Sequence, residues 1–96
     1  MQNELIKDLN QEAIKAAVAN DWKLAIDINE SIVESNPEDI AAINRLGIAY
    51  SMSQKTALAI KTFQKTLLVD PKNQIAKNNL ARLKVNKASV LVNPFL

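Results

Sequence analysis

The amino-acid sequence predicts an all-α chain of five consecutive helices, and three observations carry that prediction. Written against itself with a shift of 34 residues, the chain matches at chemically similar positions: Leu24 with Leu58, Ala25 with Ala59, Ile26 with Ile60, Val33 with Leu67 and Pro37 with Pro71. The same shift pairs Leu9 with Ile43, Ala13 with Gly47, Ile14 with Ile48 and Leu46 with Leu80, and it aligns Asn10, Asn44 and Asn78 as a triple. A fixed period of this size is the signature of a repeated supersecondary unit. Within each unit the apolar residues recur at helical spacing, and polar clusters separate one run from the next. The whole chain holds one glycine and three prolines, which leaves little of the turn chemistry that a small β-sheet domain requires.

The first helix is expected over residues 3–18, where Leu5, Leu9, Ala13, Ala16 and Ala17 recur near helical spacing. The segment "NDW" at 20–22 interrupts it, with Asn20 or Asp21 able to cap a second helix from Trp22 to about Ser35. Ala25, Ile28 and Ile32 form the apolar stripe of that second helix. In "NPED", Asn36 suits a cap, Pro37 the first helical position, and Glu38 with Asp39 the positive end of the helix dipole. The third and fourth helices are expected over 38–52 and 56–69. "DPKN" at 70–73 then opens a fifth helix, reaching about Asn86 and burying Ala76, Leu80 and Leu83 against the fourth. The remaining segment, "ASVLVNPFL" at 88–96, is apolar and contains Pro94, which disfavours a helix through it. It is expected to extend and dock on an apolar surface.

A glycine inside a helix costs roughly 1 kcal/mol relative to alanine, so Gly47 needs a reason. Close crossing of the third and fourth helices supplies one: small residues (Gly47, Ala13, Ala25, Ala59) let bulky neighbours such as Tyr50 and Phe63 fill the space between helices. On this reading Gly47→Leu is disruptive, while Gly47→Ala is tolerated because Ala13 already fills the equivalent place.

The sequence "Ile43-x2-Leu46-Gly47-x2-Tyr50", followed by "Ala59-x3-Phe63" and Pro71, resembles the tetratricopeptide repeat. The unit at 6–39 is similar through Leu9, Ala13, Ala25 and Pro37, although Glu12, Ala16 and Asn29 stand where large apolar residues are usual. Residues 74–86 resemble the first helix of a further unit. The resemblance implies a right-handed α-solenoid: a repeat domain over 1–87, with repeat one at about 6–39, repeat two at about 40–73, a capping helix at about 74–86, and then the apolar tail. It also implies that the first helix of each pair lines a concave groove. Lys7, Asn10, Ile14, Asn44, Ile48, Ser51, Met52, Asn78 and Arg82 are the expected peptide-binding residues there. Ala17, Ala41, Ile75 and Val85 lie beside them. The three asparagines, in register, would form an amide ladder able to hold a peptide backbone. The family's carboxylate clamp is not matched: Asn10 stands for its first lysine, Ile14 for an asparagine, Arg45 for the asparagine of the second unit, and Ile75 and Asn79 for the last lysine and arginine.

Composition narrows the function classes. The chain has neither cysteine nor histidine, so thiolate sites, cysteine nucleophiles and the commonest general base are excluded. No glycine-rich phosphate loop or nucleophile–base pair is present. The expectation is a non-enzymatic protein-interaction module with no catalytic residues, no metal, no cofactor and no small-molecule substrate. With no signal-type start and no apolar run approaching ~20 residues, the chain is expected to be cytoplasmic and to have no membrane partner. Residues 1–39 hold nine acids against three lysines, giving −6, and residues 40–96 hold nine bases against Asp70, giving +8. That polarity suggests an alternative role in weak homo-oligomers, through head-to-tail charge complementarity or tail docking. Nucleic-acid binding by the basic half is a lesser alternative, because no aromatic residues interleave its lysines and the acidic half repels phosphate.

Overall fold

The computed structural model describes the backbone of residues 2–92 and the side chains of residues 8–85. Its described residues form five helices and no strand: α1 (Gln2–Val18), α2 (Trp22–Ser35), α3 (Ile40–Met52), α4 (Thr56–Val69) and α5 (Gln74–Val92). Each helix packs on the next in sequence, and α3 also touches α5. The body measures 56 × 29 × 17 Å, elongated as expected when helices pack mainly on their chain neighbours.

The 34-residue period is written into the backbone hydrogen bonds. After α1, Asn20 adopts φ 59°, and the amides of Asn20 and Asp21 donate to the carbonyls of Ala17 and Ala16. After α3, Gln54 adopts φ 62°, and the amides of Gln54 and Lys55 donate to Ser51 and Tyr50. Both are Schellman turns, closed by a left-handed residue just past the helix end. The second junction repeats as well. Asn36 donates to the Ile32 carbonyl and Asp39 to Asn36, as Asp70 donates to Thr66 and Asn73 to Asp70.

These junctions correct the expected helix starts. Asn36 and Pro37 are not the cap and first residue of α3, and "DPKN" does not open α5. Each proline lies in a tight turn that precedes its helix. The caps are Asp39 and Asn73, whose side chains accept from the amides of Ala42 (3.0 Å) and Ala76 (3.0 Å). The turn wins because Pro at its second position is preset for it, while the residue before a proline is steered away from helix. Asp21 caps α2 by accepting from Leu24 at 3.2 Å, whereas its equivalent Lys55 offers α4 no side-chain cap.

α5 also continues past Asn86 to Val92, so residues 88–92 are helical rather than extended. A helix through this stretch satisfies backbone groups locally, and Pro94 constrains only its immediate neighbours. Residues 93–96, with Pro94 itself, lie outside the described residues.

Two apolar clusters form the core. Ala13, Ala16, Ala25, Ile26, Ile32, Val33, Ala42, Ile43, Leu46 and Ala49 join α1, α2 and α3. Ala59, Phe63, Ala76, Leu80 and Leu83 join α4 to α5, so the expected apolar face of α5 is the buried one. Tyr50 packs against both clusters and links them. The role expected for Gly47 holds in its main point. A Cβ built there would meet the tip of the Phe63 ring, Cζ at 2.7 Å. That ring is fully buried and must shift to admit a methyl, so Gly47→Ala is expected to cost stability rather than to be tolerated. Ala13 fits in the first pair because its partner position, equivalent to Phe63, is the shorter Asn29.

Candidate functional site

The residues expected to line a groove fall into three groups. Asn44 is withdrawn from it altogether. It is only 5% exposed, its Nδ2 donates to Asn73 Oδ1 at 3.1 Å, and its Oδ1 accepts from the buried Thr66 hydroxyl at 2.9 Å. Asn44 therefore ties α3 to α4 and to the turn before α5. Asn10 is half-buried and accepts from Arg45 Nη2, while Arg45 Nε donates to Asn29 Oδ1 at 3.1 Å. Asn29, 1% exposed, completes its amide by donating to the Ala25 carbonyl at 2.9 Å. Asn78 is exposed and accepts from Gln74 one turn away at 2.7 Å. The asparagine triple is real as a register but not as a continuous ladder: Asn44 spends both ends of its amide inside the fold, and Asn10 gives its oxygen to Arg45.

In the sequence Arg45 stands out only as a departure from the carboxylate clamp. The structure makes it the bolt of the first three helices, reaching from α3 to Asn10 on α1 and Asn29 on α2. Burial lowers the pKa of its guanidinium, and the charge of Asp39 opposes that shift. A signal for this network exists in the sequence. Asn29 lies among Ala25, Ile26, Ile32 and Val33 on the buried stripe of α2, and a polar side chain there requires a partner. Among the described residues no buried side-chain nitrogen or oxygen lacks a hydrogen bond, so both networks are closed.

The second group remains accessible. Ile14 and Met52 are each about half exposed, Arg82 is exposed, and Ile48 and Ser51 are half-buried. The 34-residue register pairs Ile14 with Ile48, and Val18 with Met52, so apolar side chains recur at equivalent positions of α1 and α3. Val18, at 80% exposure, was missed by the sequence reading, although its equivalence to Met52 was visible. On α5, Ile75 and Val85 are also exposed, and Arg82 Nη2 donates to Asn79 at 2.7 Å. The third group is Lys7 alone, whose side chain lies outside the described residues.

The opposite side of the helix pairs carries the charge. Asp27, Glu30 and Glu34 on α2 are exposed, as are Lys61 and Lys65 on α4, in line with the expected solvent-facing placement. A shallow groove of about 420 Å³ runs along α4 between Leu58 and Leu68, with Tyr50 among its lining residues. Burial raises the pKa of the Tyr50 phenol, as do the charge of Glu30 and a hydrogen bond to it.

Among the described residues there is no grouping of three acidic, histidine or cysteine side chains that could hold a metal ion, and no helix is long and apolar enough to cross a membrane. No family model matches the chain, and comparison with curated proteins finds no relative.

Proposed function

We propose that the chain is a non-enzymatic protein-interaction module of the tetratricopeptide type, a short right-handed α-solenoid. The face formed by α1, α3 and α5 takes a peptide or helix of a partner protein. The repeat reading is supported by the 34-residue recurrence of both turn types and of the Asp39 and Asn73 caps. The observation that carries the binding reading is the recurrence of accessible apolar side chains on equivalent helices: Val18 with Met52, both exposed, and exposed Ile14 with half-buried Ile48. Apolar side chains left exposed in register on one face mark an interaction surface better than scattered ones do. The ligand is held through apolar contacts, with Arg82 available at the α5 end for an acidic group, rather than through an asparagine ladder.

Selection from a displayed peptide library against the full chain tests this. Selected peptides should shift the amide resonances of residues around Ile14, Ile48 and Met52. Binding should be lost in an Ile14→Asp, Met52→Asp variant and retained in Leu68→Asp on the other side. Peptides whose shifts map to α2 and α4 instead would overturn the assignment of the surface.

A further inference from the structure

The outer faces of α2 and α4 are chemically opposite versions of one helix. The 34-residue register sets Asp27 against Lys61, Ser31 against Lys65 and Leu24 against Leu58. The α2 face thus carries Asp27, Glu30 and Glu34 against one base, Lys23, beside Leu24, and the α4 face carries Lys61 and Lys65 between Leu58 and Leu68. All of these side chains are exposed, and Leu68 is 85% exposed. The two faces approach each other at Tyr50, which lines the α4 groove and whose phenol feels the charge of Glu30 on α2. Because short turns reverse the chain at each end of α3, α2 and α4 run in the same sense on either side of it.

We propose that this surface closes on a second copy of the same chain, about a two-fold axis parallel to the helices. Charge selects the axis. A two-fold axis crossing the helices would lay α2 on α2 and α4 on α4, acid on acid and base on base. An axis along the helices lays α2 of one copy on α4 of the other, twice, by symmetry. Since α2 and α4 are equivalent helices, the facing positions are register equivalents: Asp27 opposite Lys61 and Leu24 opposite Leu58, each occurring twice. The pairing differs from a head-to-tail chain of opposite ends, because it is closed at two copies.

The size of the face sets the strength. Two helices of 14 residues give a patch of about 20 by 20 Å per copy. The total buried area of about 800 Å² lies below the range of stable dimers. The dimer is therefore weak, concentration-dependent and weakened by salt, since the pairs lie at an exposed surface. It uses a different face from the peptide surface proposed above, and each can fail without the other.

Analytical ultracentrifugation of the full chain, from micromolar to millimolar concentration and at low and high salt, tests the pairing. The wild-type chain should show a monomer–dimer equilibrium that weakens in high salt. Asp27→Lys and Lys61→Asp should each weaken it by about tenfold or more, because each places two like-charge pairs in the symmetric dimer. Mixed in equal amounts, the two variants should recover a one-to-one heterodimer in which both contacts are again opposite in charge. Circular dichroism checks that these exposed substitutions leave the helices intact. A monomer at every concentration, growth beyond two copies, or a mixture that stays monomeric would each overturn the proposal.

Discussion

The pairs α1–α2 and α3–α4 share one backbone plan and solve its interior in different ways. Both end their first helix in the same left-handed turn, at Asn20 and Gln54. In α3–α4 the crossing is apolar and tight: Gly47 has no side chain, and the Phe63 ring stands end-on against it. In α1–α2 the equivalent positions are Ala13 and Asn29, a methyl more on one helix and a polar, shorter group on the other. The Asn29 amide then recruits Arg45 from α3, so the first pair is fastened to the second through a polar contact. The difference teaches that a helix-pair repeat constrains the turns and the summed volume at the crossing, and leaves its polarity free.

Breaking the tight crossing gives the largest effect. Phe63→Ala removes a fully buried ring and should cost about 3–5 kcal/mol, measured by chemical denaturation followed through the fluorescence of Trp22. Gly47→Ala brings an overpacking cost of ~1–3 kcal/mol against a helix gain of roughly 1, so a net loss of about 1 kcal/mol is expected. A shorter side chain at 63 should relieve it. Gly47→Ala combined with Phe63→Leu should lose less than the sum of the two single changes. Strict additivity would show that the ring and Gly47 do not compete for the same space.

The polar contacts come next. Asn44→Ala leaves the Thr66 hydroxyl, fully buried, without its acceptor, and should destabilise by about 1–3 kcal/mol. The sequence alone, taking Asn44 for a surface residue, expects almost no change. The unchanged midpoint it implies would return Asn44 to the surface.

This pair of outcomes marks how much was legible. Helix order, the 34-residue register, the apolar faces of α2 and α5 and the close packing at Gly47 follow from side-chain type and spacing, which are local. The exposed placement expected of Asn44 is not found because an amide on one helix is wet or buried according to where Thr66 and Asn73 lie, 22 and 29 residues away. The role of Arg45 was hidden for the same reason: its partners sit on two other helices, and the polar Asn29 on a buried stripe says only that a partner is needed, not which one. The starts of α3 and α5 were missed by competition between two uses of Asn-Pro and Asp-Pro, a turn or a cap, which one sequence states equally well.

The turns sharpen the comparison in the opposite direction, since here the second pair is the weaker. Lys55 stands where Asp21 caps α2, and Gln54 holds a left-handed conformation that Asn20 accepts more readily. Gln54→Asn with Lys55→Asp transplants the first turn into the second and should stabilise the chain by about 1 kcal/mol, visible as a rise in melting temperature. A fall would mean that Lys55 makes a contribution that capping does not replace.

The smallest effect concerns Tyr50, which stands where the first pair has Ala16 and which packs against both clusters. Burial, then the charge of Glu30, then its hydrogen bond all raise the pKa of the phenol. The sign of the linkage follows: stability from this group is fully present below the ordinary tyrosine pKa and is lost as pH rises through the higher folded value, because the unfolded chain releases its proton first. Tyr50 is the chain's sole tyrosine, so absorbance at 295 nm follows its ionisation alone. The folded midpoint should lie above that of the urea-unfolded chain. Glu30→Gln should bring it part of the way back, since burial, the largest cause, remains. A folded midpoint equal to the unfolded one would mean that Tyr50 is solvated and does not link the two clusters. A full return in Glu30→Gln would assign the whole shift to the carboxylate and would leave the ring as wet in the second pair as its Ala16 counterpart is dry in the first.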